Sequence, residues 1–107
     1  MSQPTMSEST AAEKTLEDWR QQIDALDKEL ICLLNKRAGI ACEIAVIKVA
    51  SGLPAKDGRR EAQVLAGVVE KNHGPLDKHG IAAIFRSIIQ ETRRLGTERM
   101  QLENQKL

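Results

Sequence analysis

Apolar residues recur along the first half of the chain with a helical period. Trp19, Ile23, Leu26, Leu30, Leu33, Arg37, Ile40, Ile44 and Ile47 are separated by alternating steps of four and three. That heptad spacing lays one stripe along a helix. A second stripe, spaced by sevens, runs beside it through Arg20, Asp27, Leu34, Ala41 and Lys48. Gly39 is the sole helix-weakening residue in the stretch. The pattern predicts one helix from about Thr15 to Ala50, opened by Thr15 and Asp18 as a capping box in which Asp replaces the usual Glu. Such a helix is roughly 50 Å long. That is too long for a compact monomer of 107 residues, so the seam calls for a partner.

The pattern breaks at Gly52 and Pro54, and Ser51 to Lys56 reads as a loop. Asp57 is a good N-cap for a second helix reaching about Lys71, with Val64, Leu65, Val68 and Val69 as its apolar set. Asn72-His73-Gly74-Pro75 ends it. Asp77 is placed to cap a third helix whose inner face reads Ile81, Ile84, Phe85, Ile88, Ile89, Thr92, Leu95 and Gly96. Gln101 to Leu107 is expected to fray, with 104–107 as a frayed terminus. Residues 1–14 are polar, rich in Ser, Thr and Glu, and without periodicity, which predicts a disordered tail. The fold class is all-α: one domain over 15–103, with three helices, one of them very long.

Composition narrows the function. Aromatic residues are 2% (Trp19 and Phe85), so the core is aliphatic. The net charge of +1, with basic and acidic residues interspersed, argues against a nucleic-acid binder. Glu43 and Lys48 interrupt the best apolar run, and the N-terminus lacks the basic-then-apolar order of a signal peptide. The expectation is a cytoplasmic protein away from membranes. Cys32 and Cys42, ten residues apart on one helix, are roughly 15 Å from each other and out of disulfide reach. No Cys/His spacing suggests a metal, and none is expected.

Certain charges need a reason. Arg37 stands in the apolar seam, where a cation is costly unless paired. Taken alone it reads equally well as a register-setting residue that snorkels to water. Lys48 follows by three turns, about 16 Å on, and alone reads as a solvated helix-end lysine. Two cations on one inward face, with no acidic residue between them at a matching position, point to a small anion. Arg20 lies about 25 Å before Arg37, too far for one ligand within one helix. In an antiparallel dimer with its two-fold near Ile31 and Cys32, Arg20 of one chain falls opposite residues near Ala41 to Glu43 of the other, between Arg37 and Lys48. In the second helix, Asp57 and Glu61 suit the positive end of the helix dipole. Arg60 does not, and needs another reason. Arg93, Arg94 and Arg99 form a basic end to the third helix, favourable for its C-terminus.

These residues at these spacings resemble the all-helical chorismate mutase family, across roughly Leu16 to Gly96. The resemblance rests on Trp19-Arg20, Ile23-Asp24-Ala25-Leu26-Asp27, Leu33-Leu34 and Arg37, then Lys48, Pro54, Asp57 and Arg60-Glu61. It ends with Phe85-Arg86-Ser87-Ile88-Ile89. It implies an intertwined homodimer of three-helix chains with two sites, each built from both chains, and no cofactor. By the resemblance, Arg37 and the partner chain's Arg20 bind the two carboxylates of chorismate, and Arg60 supports them. Lys48 donates to the ether oxygen, Glu61 chiefly binds the ring hydroxyl with a backbone contact from Asp57, and Ile44 lines the apolar wall. Thr92 falls where the family commonly has Ser. One position departs: the Gln or Glu expected four residues later, a second donor to the ether oxygen, is Gly96. A water, Arg93 or Arg99 is left to substitute.

The implied activity is an intramolecular rearrangement of chorismate to prephenate in aromatic amino-acid biosynthesis. Two alternatives stay open. One is an isochorismate pyruvate-lyase on the same scaffold, from which the Pro54, Asp57, Arg60 and Glu61 pattern departs. The other is a regulatory or dimerisation homologue that has lost the chemistry, with Gly96 as the trace of that loss.

Overall fold

The computed structural model describes residues 14–106. Three helices account for nearly all of them: α1 (Leu16–Ser51), α2 (Gly58–Lys71) and α3 (Lys78–Lys106). The tail expected over residues 1–14 lies outside the described residues, apart from Lys14, whose ammonium sits 4.5 Å over the Trp19 ring.

The helix ends form where local chemistry asks for them. Thr15 Oγ1 accepts from the Asp18 N–H at 3.1 Å, and Asp18 Oδ2 accepts from the Thr15 N–H at 3.0 Å. This reciprocal pair is the expected capping box, and its hydrogen bonds hold the Asp18 carboxyl below its ordinary range. At the far end of α1, Gly52 adopts a φ of +69°, the left-handed conformation glycine takes without penalty. Leu53 N–H then donates to the Lys48 carbonyl at 2.8 Å and Gly52 N–H to the Val49 carbonyl at 3.2 Å. That is a Schellman termination, which satisfies two orphan carbonyls and turns the chain sharply. Asp57 caps α2 by accepting from the Arg60 N–H at 3.1 Å, and Asp77 caps α3 by accepting from the Gly80 N–H at 2.7 Å. Between them, Asn72 Nδ2 donates to the Leu76 carbonyl at 2.7 Å and ties the connection together.

The chain divides into two units, the first ending at Leu33 and the second beginning at Leu34. In the first, every residue of α1 from Trp19 to Leu33 is exposed; Trp19, Leu26 and Leu33 keep 52%, 57% and 60% of their surface.

 The large apolar side chains of its seam all face solvent.

In the second unit, α2 packs against α3. The face of α1 covered there is not the heptad seam. Ile40, Ile44 and Ile47 of the seam are exposed, whereas Ala45 is buried and Ala38, Ala41 and Lys48 are half-buried. The stripe beside the seam therefore meets the chain's own third helix, through small residues that allow close approach. A Cβ placed on Gly96 of α3 would lie 3.6 Å from Ala45 Cβ and 3.9 Å from the Ala41 carbonyl oxygen. Buried residues among those described are few: Ala45, Ala82, Ile89 and Gly96. Of the inner face expected for α3, Ile84 is a correction, since it keeps 45% of its surface. The helix also continues through Gln101 to Lys106, where fraying was expected. Ion pairs from Arg99 and Lys106 to Glu103, spaced i,i+4 and i,i+3, support that last stretch.

Candidate active site

A cleft of about 290 Å³ lies wholly within the second unit. Arg37, Ile44 and Lys48 reach it from α1, Asp57 from the loop, Arg60 and Glu61 from the first turn of α2, and Thr92 and Gly96 from α3. Eight of the nine residues singled out from the sequence thus line one cleft. Arg20 belongs to the first unit, is exposed, and is not among the lining residues.

Local structure fixes these side chains in turn. Arg37 Nη1 donates to Thr92 Oγ1 at 3.2 Å, and the Thr92 hydroxyl donates back along α3 to the Ile88 carbonyl at 2.8 Å. With its one proton so used, Thr92 serves as an acceptor that orients Arg37. The guanidinium has further N–H donors to offer an anion. Lys48 is held from both ends. Its carbonyl takes the Schellman bond from Leu53, and its ammonium donates to the Ala55 carbonyl at 2.9 Å. The sharp turn at Gly52 is what returns Ala55 to that ammonium. Asp57 spends a carboxylate oxygen on the cap, which fixes the first turn of α2 and so the backbone from which Arg60 and Glu61 project. Arg60 finds its reason here: it is a poor partner for the helix dipole but lines the cleft.

Glu61 carries a partner that sequence reasoning did not assign. Arg93 Nη1 donates to Glu61 Oε2 at 2.5 Å, joining α3 to α2. Arg93, Arg94 and Arg99 are therefore not a basic helix end. The helix runs on beyond them, Arg94 pairs with Glu91 and Glu98, and Arg99 pairs with Glu103. The available signal for Arg93 was its place three residues before Gly96, since i and i+3 share a helix face. Val64, Ile89, Thr97 and Met100 also line the cleft without having been named for it. Val64, Ile44 and Ile89 supply an aliphatic wall alongside the charges.

Chemically, the cleft offers four cations and two carboxylates against that wall. It has the composition to take a small anion with an apolar body. Among the described residues no cluster of His, Cys, Asp or Glu could hold a metal ion, and no helix is long and apolar enough to cross a membrane.

Fold and cleft together define a small all-helical protein with a cation-rich cleft between helices. The family follows from comparison with known proteins. Residues 19–97 match the model of chorismate mutase type II, and the chain belongs to that family. A bifunctional chorismate mutase/prephenate dehydratase of Stutzerimonas stutzeri is 40% identical over 75 residues, covering 65% of this chain and 20% of the relative. The protein of that description from Pseudomonas aeruginosa is 36% identical over 84 residues, covering 74% of this chain and 23% of the relative. The one from Aquifex aeolicus is 32% identical over 78 residues, covering 69% and 22%. The chain spans about a fifth of the length of these curated relatives.

Proposed function

We propose that this chain is a chorismate mutase, an isomerase that converts chorismate to prephenate in the cytoplasm, acting as an intertwined homodimer through its region 15–103. The observation that carries the reading is the convergence of Arg37, Lys48 and Arg60 on one cleft with an aliphatic wall. Family membership and the names of the relatives support it.

The reaction breaks an ether C–O bond and forms a C–C bond within one molecule. It needs no nucleophile, proton transfer, metal or cofactor, so catalysis reduces to geometry and electrostatics. Arg37, together with Arg20 from the second chain, grips the two carboxylates and folds the side chain over the ring, a near-attack conformer. Arginine suits this task because its fork is bidentate and always charged. Arg60 adds to the field on the carboxylate side. Lys48 faces the ether oxygen and stabilises the charge that builds there as the C–O bond lengthens. Glu61 accepts from the ring hydroxyl beside the Asp57 backbone, and Ile44 packs against the ring. Thr92 acts through Arg37. Gly96 brings no donor.

The exposed seam supports the homodimer. Trp19, Ile23, Leu26, Leu30 and Leu33 form one apolar stripe in water, a surface that favours association. The test is direct: incubate the purified protein with chorismate and identify the product. Loss of chorismate with formation of prephenate is expected. Unchanged chorismate, or pyruvate released from isochorismate instead, contradicts the reading.

A further inference from the structure

Glu61 is a difficulty for an anion site. It lines the cleft, and a carboxylate facing a dianion repels it. It can stay only if its charge is countered and its remaining acceptor meets a neutral donor. Arg93 supplies the first condition. Its Nη1 donates to Glu61 Oε2 and ties α3 to α2, with the two side chains 30% and 24% exposed, a partly shielded setting for an ion pair. The other ion pairs of α3 among the described residues each join two residues of α3 itself. With Arg93 the charged residues lining the cleft sum to two positive; without it they sum to one. The second condition follows from the chemistry of the carboxylate. An ionised carboxylate only accepts hydrogen bonds, so with Oε2 committed, Oε1 is an acceptor for a hydroxyl group of the ligand.

We infer that Arg93 is a positioning residue that sets specificity: by holding Glu61 from α3, it makes the site select a dicarboxylate that bears a hydroxyl group. The inference rests on the proposed substrate class. It differs from that proposal in assigning a role to a side chain that contributes no contact to the reacting atoms.

The experiment measures binding to the full chain by calorimetry with two probes. One is an oxabicyclic dicarboxylate that mimics the rearrangement's transition state; the other is the same molecule without its ring hydroxyl. Wild-type protein is expected to prefer the hydroxylated probe by about tenfold to a hundredfold, the range of a hydrogen bond to a charged acceptor. Arg93→Met is expected to lose most of that preference. Arg93→Lys, which keeps the charge, is expected to recover at least half of it on a logarithmic scale, and serves if Arg93→Met fails to fold. In a Glu61→Gln background, Arg93→Met is expected to change the preference no further, because the two residues act as one unit. A merely structural role for Arg93 would weaken both probes alike and leave their ratio unchanged. An unchanged ratio in Arg93→Met, or no preference in the wild type, overturns the inference. Chorismate turnover is measured alongside. A wild type that is inactive but selects the hydroxyl through Arg93 sinks the proposed activity and spares the inference. An active wild type whose ratio ignores Arg93 does the reverse.

Discussion

The two parts of α1 share one heptad seam and have different surroundings. Up to Leu33 the helix leaves Trp19, Ile23, Leu26 and Leu30 in solvent. Beyond Leu34 it carries the alanine face that meets Gly96, and beside that face the cations of the cleft. The difference teaches that apolar strength does not say which face a chain covers for itself. Its own third helix takes the small residues, where backbones come close. The large residues of the seam stay exposed, an apolar stripe of the kind that favours association, and the proposed homodimer would cover it.

Breaking the seam should have the largest effect. Leu26→Asp puts a charge in the middle of the proposed dimer interface, where an unpaired buried charge costs several kcal/mol. Sedimentation velocity should show monomer, and chorismate turnover should fall to background; a dimer of normal activity would separate the seam from assembly. Next comes the cleft itself. Arg37→Ala should remove on the order of 3 kcal/mol or more of transition-state stabilisation, about a hundredfold or more in kcat/KM. Near-normal turnover would take Arg37 out of the site. The close approach of α3 to α1 is sharpened by Gly96→Gln. The Cβ meets Ala45 at ordinary contact distance, and replacing a mid-helix glycine favours the helix by up to about 1 kcal/mol. Turnover should be unchanged or higher; a collapse in rate without loss of helicity on circular dichroism would mean the cleft is built differently.

The smallest effect concerns the first turn of α1. Hydrogen bonds from Thr15 hold the Asp18 carboxyl low, so its contribution to stability is present above the ordinary aspartate pKa and is lost as pH falls through the lowered one. Asp18→Ala, which removes the carboxylate itself, should therefore lower Tm slightly at neutral pH, and the gap from wild type should close in acid. A gap that stays constant with pH would show that the capping pair does not stabilise the helix through that carboxylate.

Most helix boundaries were legible because they are set by neighbours in sequence. Thr15 with Asp18, Asp57 with Arg60, Asp77 with Gly80, and Gly52 after Lys48 each act within a few residues. The members of the cleft were legible for a related reason. Arg37 and Lys48 are awkward where they stand, and a cation in a seam demands a partner. What could not be read depends on distant packing. The covered face of α1 is marked only by alanines, which carry a weak apolar signal beside the louder seam, so the face that meets α3 does not stand out in the sequence. Arg93 looked like part of a basic helix end, because nothing near it in sequence reveals that Glu61, 32 residues away, is its partner.

The central claim is that the cleft of one chain is completed by the Arg20 of another. Mixing two inactive variants, Arg20→Ala and Arg37→Ala, tests it most directly, after unfolding and refolding them together. A mixed dimer would have one site lacking both arginines and one with both intact, so random pairing predicts recovery of about a quarter of wild-type activity. A mixture that stays as inactive as its components would contradict the shared site.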